Sequence, residues 1–135
     1  MSRALVLDTS VLVSAALKPA NDLARIVEAV LLRQVPAHVC PSVVAEYREV
    51  LHRPKFRDKG LPPRWFPRLL NVAFHESEPE PWTLAGPDPD DLKFLALAKA
   101  TGAVLVTGNL AHFPERVRAG VPVLAPAAYL AGNQR

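Results

Sequence analysis

Asp88-Pro89-Asp90-Asp91-Leu92-Lys93-Phe94-Leu95-Ala96-Leu97-Ala98-Lys99-Ala100-Thr101-Gly102-Ala103-Val104-Leu105-Val106-Thr107-Gly108-Asn109 holds one loop, one helix and one strand in succession. Prolines and aspartates mark a loop, and Asp90 or Asp91 starts a helix that runs to Thr101. Gly102 stops it, as a glycine just past a helix end does. Ala103 to Val106 is then a strand. Asp91 is out of place on this helix. At ~100° per residue, Phe94 lies about 60° to one side of Asp91 and Leu95 about 40° to the other, with Ala98 almost directly above. The aspartate stands on the centreline of the apolar stripe. An ionised carboxylate on a buried face is costly unless something pairs with it. The plainer reading is an N-cap at Asp91 or Asp90.

Outward from this unit, strands and helices alternate along the chain. Ala4 to Leu7 is a short apolar run, the pattern of a strand buried on both faces. A helix follows directly after Asp8 and includes Val11 to Leu17. Asn21 or Asp22 caps a second helix, with Leu23, Ile26, Val27, Val30 and Leu31 at helical spacing, and Pro36 lies beyond it. Ala37 to Cys40 is a second strand. Pro41-Ser42 opens a helix to about His52, ended by Arg53-Pro54. Residues 55 to 62 read as a loop, Pro63 to Val72 as a helix, Ala73 to Ser77 as a third strand and residues 78 to 90 as a Pro-rich loop. Val121 to Leu124 is the fifth strand. Such alternation predicts an α/β sandwich around a mainly parallel sheet, in a single domain over residues 1–135.

The composition is that of an ordinary globular chain of 135 residues, half of them hydrophobic and 21% charged. No apolar stretch approaches the ~20 residues of a membrane helix. Met1-Ser2-Arg3 followed by only four apolar residues is no signal peptide. Cys40 is the only cysteine, which excludes an intramolecular disulfide and a multi-cysteine zinc site, and a cytoplasmic location is expected. The net charge of +3 permits a polyanionic partner without requiring one. Arg48, Arg53, Lys55, Arg57, Lys59, Arg64 and Arg68 form a basic run, and Glu76, Glu78, Glu80, Asp88, Asp90 and Asp91 an acidic one. The bland reading of each is a solvated surface.

In open parallel sheets, sites form beyond the carboxyl ends of the strands, where strand order reverses. Asp8 ends the first strand, with Thr9 and Ser10 placed to cap the next helix. Glu46 lies about 40° from Val50, at the edge of the apolar face of its helix, while Arg48 and Glu49 point away. Asp8, Glu46 and Asp91 all fall near the starts of elements that follow strands, so a parallel sheet brings them to one end. Three like charges gathered there require protonation or a cation. Oxygen ligands favour Mg²⁺ or Mn²⁺. The histidines His38, His52, His75 and His112 show no metal-ligand spacing, and His112 reads as a rim residue.

Leu5-Val6-Leu7-Asp8-Thr9-Ser10-Val11-Leu12-Val13-Ser14-Ala15 resembles the opening motif of PIN domains. Pro41-Ser42-Val43-Val44-Ala45-Glu46-Tyr47 resembles their second motif. Asp88 to Ala98 and Gly102 to Asn109 resemble the third and fourth. Each motif is weak alone, and four in order along nearly the whole chain are specific. The subgroup it most resembles is the VapC-like set of bacterial and archaeal toxins of toxin–antitoxin pairs.

The resemblance implies a three-layer α/β/α sandwich with a parallel five-stranded sheet and hydrolysis of single-stranded RNA. Asp8, Glu46 and Asp91 match the family's first three acidic residues, which bind magnesium or manganese, and Ser10 and Thr107 match supporting polar positions. Many relatives carry an aspartate at the position of Asn109, which here brings no charge but can orient a ligand through its carbonyl. An antitoxin protein is the expected partner, and a homodimer is compatible with the family.

Within this reading, Arg48, Arg53, Lys55 and Arg57 are expected to hold RNA phosphates, with Trp65 or Phe66 stacking bases and at least one of the two packing in the core. The competing reading is a non-catalytic PIN-fold module, degenerate at Asn109, that binds RNA or protein. A phospho-acceptor receiver domain expects a lysine after its last strand, and residues 121 to 130 hold none.

Overall fold

The computed structural model describes residues 3–133. Met1 and Ser2, part of the start read as lacking a signal peptide, lie outside the described residues. The strands are β1 (Leu5–Leu7), β2 (His38–Val39), β3 (Phe74–His75), β4 (Val104–Val106) and β5 (Val123–Leu124). The helices are α1 (Thr9–Leu17), α2 (Asp22–Leu31), α3 (Pro41–Leu51), α4 (Pro54–Arg57), α5 (Phe66–Val72), α6 (Leu92–Thr101), α7 (Glu115–Arg118) and α8 (Pro126–Asn133). Short 3-10 turns at Pro89–Asp91 and Leu110–His112 precede and follow the α6–β4 unit.

All strand pairs are parallel, in ladders β1-β4-β5 and β2-β3. A single parallel bridge, Leu5 to Ala37, joins the ladders and sets the strand order β3-β2-β1-β4-β5. The five parallel strands are therefore present as ladders of three and two, joined by one bridge rather than as one continuous five-stranded sheet. Leu5, Val6 and Leu7 point alternately to the two faces and are all buried, so both faces are covered. Helix α6 packs across β1, β2 and β4, while α1, α5 and α8 gather around α2.

Local chemistry sets the boundaries. The Asn21 side chain accepts from the Ala24 N–H at 2.9 Å and caps α2. Gly102 ends α6 at φ 70°, a left-handed conformation that costs a Cβ-bearing residue. The segment read as a loop from residue 55 instead carries one helical turn, because Pro54 sits in its first turn, where a missing N–H costs nothing. The helix read from Pro63 starts only at Phe66, and Pro67 is tolerated in its first turn for the same reason. Helices α7 and α8 are additions to the pattern read from the sequence. Among the described residues no helix is long and apolar enough to cross a membrane.

Candidate active site

Chain order along the sheet reverses between β1 and β4, since β2 and β3 lie to one side of this pair and β5 to the other. A cleft of about 510 Å³ opens beyond the carboxyl ends of these strands, lined by Asp8, Ser10, Glu46, Asp91, Asn109 and His112 among others. The three expected acids thus share one cleft, as do Ser10 and Asn109.

Asp8 leaves the end of β1 and is 5% exposed. It occupies the N-cap position of α1 without a side-chain capping bond. Its Oδ2 instead accepts from the Ser10 hydroxyl at 2.9 Å and from the Thr107 hydroxyl at 2.8 Å. Thr107, fully buried after β4, also accepts the Asn109 backbone N–H at 3.0 Å. The Thr107 hydroxyl is therefore a junction between the β1 and β4 ends. The expectation that Thr9 and Ser10 cap a helix is not met; both turn to carboxylates instead.

Helix α3 is pinned beside Asp8 by Tyr47, whose buried hydroxyl donates to the Leu7 carbonyl at 2.6 Å. Burial, then the charges of Asp8 and Glu46, push this phenol well above its usual pKa, so it stays a donor. One residue earlier, Glu46 is held at both oxygens: Oε2 accepts from the Thr9 hydroxyl and Oε1 from Lys93 Nζ at 2.6 Å.

Asp91 ends the turn before α6 and is buried, as the helical wheel places it. Its Oδ2 has no hydrogen-bond partner among the described residues. His112 Nδ1 lies 3.1 Å from that oxygen, within ion-pair distance but without hydrogen-bond alignment. Burial, then the charges of Asp8 and Asp88, push the Asp91 carboxyl up to about 6 against the pull of His112, with Glu46 adding to the rise.

The basic residues separate. Arg53 lines the acidic cleft and is paired with Glu49 at 2.9 Å. Arg48 faces another hollow, with His52 and Arg64. Lys55 lies over the Phe56 ring, 5.0 Å from its centroid, and Arg57 is exposed. Phe66 is buried in the core, and Trp65 lines a hollow with Ala24 and Val27, away from the acids. Asn109 is exposed and is held through its backbone, whose N–H donates to the Thr107 hydroxyl and whose carbonyl accepts from the His112 N–H. Sequence reading missed Lys93, the Thr9–Glu46 contact and the His112–Asp91 pair. Lys18 also lines the cleft.

If Thr107 is the junction, Thr107→Val, which keeps shape and loses the hydroxyl, costs about 1–2 kcal/mol in chemical denaturation. It also loosens Asp8. An assay of any activity that depends on Asp8 is expected to fall about 10- to 100-fold, the scale seen when support of a site group is lost.

An acidic cleft at the order reversal of a parallel α/β sheet defines the class. The chain belongs to the PIN domain family, whose model matches residues 4–111. PIN domains are generally nucleases and typically use divalent metals. Three solved structures are similar in fold. VapBC2 from Rickettsia felis, crystallised with a fragment of promoter DNA, is 16% identical with TM-score 0.63 and coverage of 90% of this chain and 98% of that one. PAE2754 from Pyrobaculum aerophilum is 14% identical with TM-score 0.60, covering 98% and 90%. FitAcB from Neisseria gonorrhoeae is 20% identical with TM-score 0.55, covering 91% and 98%. No curated protein sequence matches the chain.

Proposed function

We propose that this single-domain chain is a metal-dependent endoribonuclease that hydrolyses phosphodiester bonds of single-stranded RNA, and that it is the VapC-like toxin of a toxin–antitoxin pair, restrained in the cytoplasm by an antitoxin protein. The observation that carries the reading is Asp91. A buried carboxylate oxygen without a hydrogen-bond partner among the described residues, on a carboxyl whose pKa is raised by burial and then by the charges of Asp8, Asp88 and Glu46, is the arrangement a cation relieves. The oxygen-only donor set fits Mg²⁺ or Mn²⁺. Asp8, Glu46 and Asp91 would hold the ion, although the described residues contain no ready-made cluster of three such ligands. When bound, the ion supplies positive charge where a phosphodiester develops negative charge.

The chain's own residues do the rest. Ser10 and Thr107 fix one Asp8 oxygen, leaving the other available. Thr9 and Lys93 fix Glu46. Lys18 and Arg53, both on the cleft wall, would meet phosphates, Arg53 by leaving Glu49. Val13, Leu17 and Val50 give the same wall an apolar strip against which the bases of an unpaired strand can lie. Arg48, Lys55 and Arg57 would extend the phosphate track outside the cleft, and Asn109 would orient a ligand at its mouth.

One observation favours the non-catalytic reading: both Glu46 oxygens are already engaged. A cleavage assay on single-stranded RNA, double-stranded RNA and DNA, with Mn²⁺ or with EDTA, decides between them. Cleavage of single-stranded RNA that EDTA abolishes is expected. Binding of RNA without cleavage, at millimolar Mn²⁺, establishes the module instead.

A further inference from the structure

We infer that Lys93 is a positioning residue that stands in for a second cation, so that the acidic cleft holds a single divalent ion. The inference rests on the metal reading above. Lys93 Nζ sits 2.6 Å from Glu46 Oε1, and the two side chains are only 22% and 18% exposed. An ion pair in open water is loose and worth little. This one is mostly withdrawn from water, and Glu46 is gripped from a second side by Thr9. The carboxylate is therefore locked between α1, α3 and α6.

The lock has a consequence for ion number. Each Glu46 oxygen keeps a lone pair beside its one contact, enough to share one ion with Asp8 and Asp91, but a second cation on Glu46 would stand beside the Lys93 ammonium and be repelled by it. Charge balance points the same way. Asp8, Glu46 and Asp91 together carry three negative charges when ionised, and one divalent ion plus one ammonium offsets them. Asn109, on the β4 side of the cleft, adds none. Asp88 and Asp90 also line the cleft but are exposed, so water and salt weaken their charges without cancelling them, and Asp88 still acts on Asp91. Arg53 is drawn off by Glu49, His112 faces Asp91, and Lys18 lines the cleft wall but is exposed at the end of α1. Among the described residues, Lys93 is the cation bound to Glu46.

Mn²⁺ titration by calorimetry, with electron paramagnetic resonance of the free ion, tests this on wild type, Lys93→Met and Lys93→Arg. Wild type and Lys93→Arg are expected to take one equivalent, and Lys93→Met to take a second. Two equivalents in wild type, or a single equivalent in Lys93→Met, overturn the inference. If Lys93→Met does not fold, Lys93→Gln carries the same expectation. A metal-free arm separates the lock from the metal reading: thermal melts of Lys93→Met, Glu46→Gln and the double variant. The single shifts in Tm are expected not to add in the double variant, and full additivity overturns the lock. Wild type that takes no Mn²⁺ overturns the metal reading and the one-ion count with it, while the melts still decide whether Lys93 holds Glu46.

Discussion

Asp91→Asn is expected to make the metal-free protein more stable at pH 7.5 and to remove most of the stabilisation that Mn²⁺ gives the wild type. Unfolded, this carboxyl releases its proton near 3.8; folded, it does so at about 6. Between those values the folded state binds more protons than the unfolded one. Stability from this group therefore falls as pH rises through the window, and the full penalty is present above about 6. Allowing for water at the cleft mouth, the penalty is roughly 2 kcal/mol. An uncharged amide of the same shape escapes it. The melting point at pH 7.5 is expected to rise by roughly 5–10 °C. At pH 4 the gain should shrink toward zero, because wild-type Asp91 is then largely protonated. Thermal melts of both proteins from pH 4 to 7.5, with and without Mn²⁺, measure this. Equal stability at pH 7.5 would mean that the buried carboxylate is not under strain.

Asp8→Asn is expected to abolish RNA cleavage by on the order of 100- to 1000-fold, the scale for losing a central charge of a preorganised site. The fold should survive. An amide oxygen can accept the same Ser10 and Thr107 hydroxyls that Asp8 Oδ2 accepts. Single-turnover cleavage measures the loss, and circular dichroism checks the fold. The same variant should bring the Asp91 carboxyl back toward its ordinary value, since Asp8 is the largest neighbouring charge that raises it. Carboxyl-carbon NMR reads that shift independently of activity. Wild-type cleavage by Asp8→Asn would remove Asp8 from the chemistry.

What the chain discloses beforehand is governed by distance along it. The α6–β4 unit is legible because the loop aspartates, Gly102 and the apolar run all act on neighbours. The meeting of Asp8, Glu46 and Asp91 is legible one level up, through the rule for parallel sheets. The Lys93–Glu46 pair is not, because it joins residues 47 apart and depends on which way a long side chain turns. The basic run shows the opposite failure. Arg48 and Arg53 are close in sequence, yet their places on α3 and at its end send them to separate hollows. Trp65, attractive as a stacking residue, instead packs near α2. The single bridge at Leu5 and Ala37 escapes a pattern-based reading too, since strand periodicity says nothing about how many rungs two strands share.

The bond from Thr107 to Asp8 spans 99 positions of the chain. A ribosome adds residues in order, so β1, α3 and the Asp91 turn are all made before the hydroxyl that ties the cleft together. A growing chain that has not yet reached β4 has the acids but neither the neighbouring strand nor the junction that sets Asp8. Assembly of the cleft therefore follows synthesis of β4, however early its acids are made.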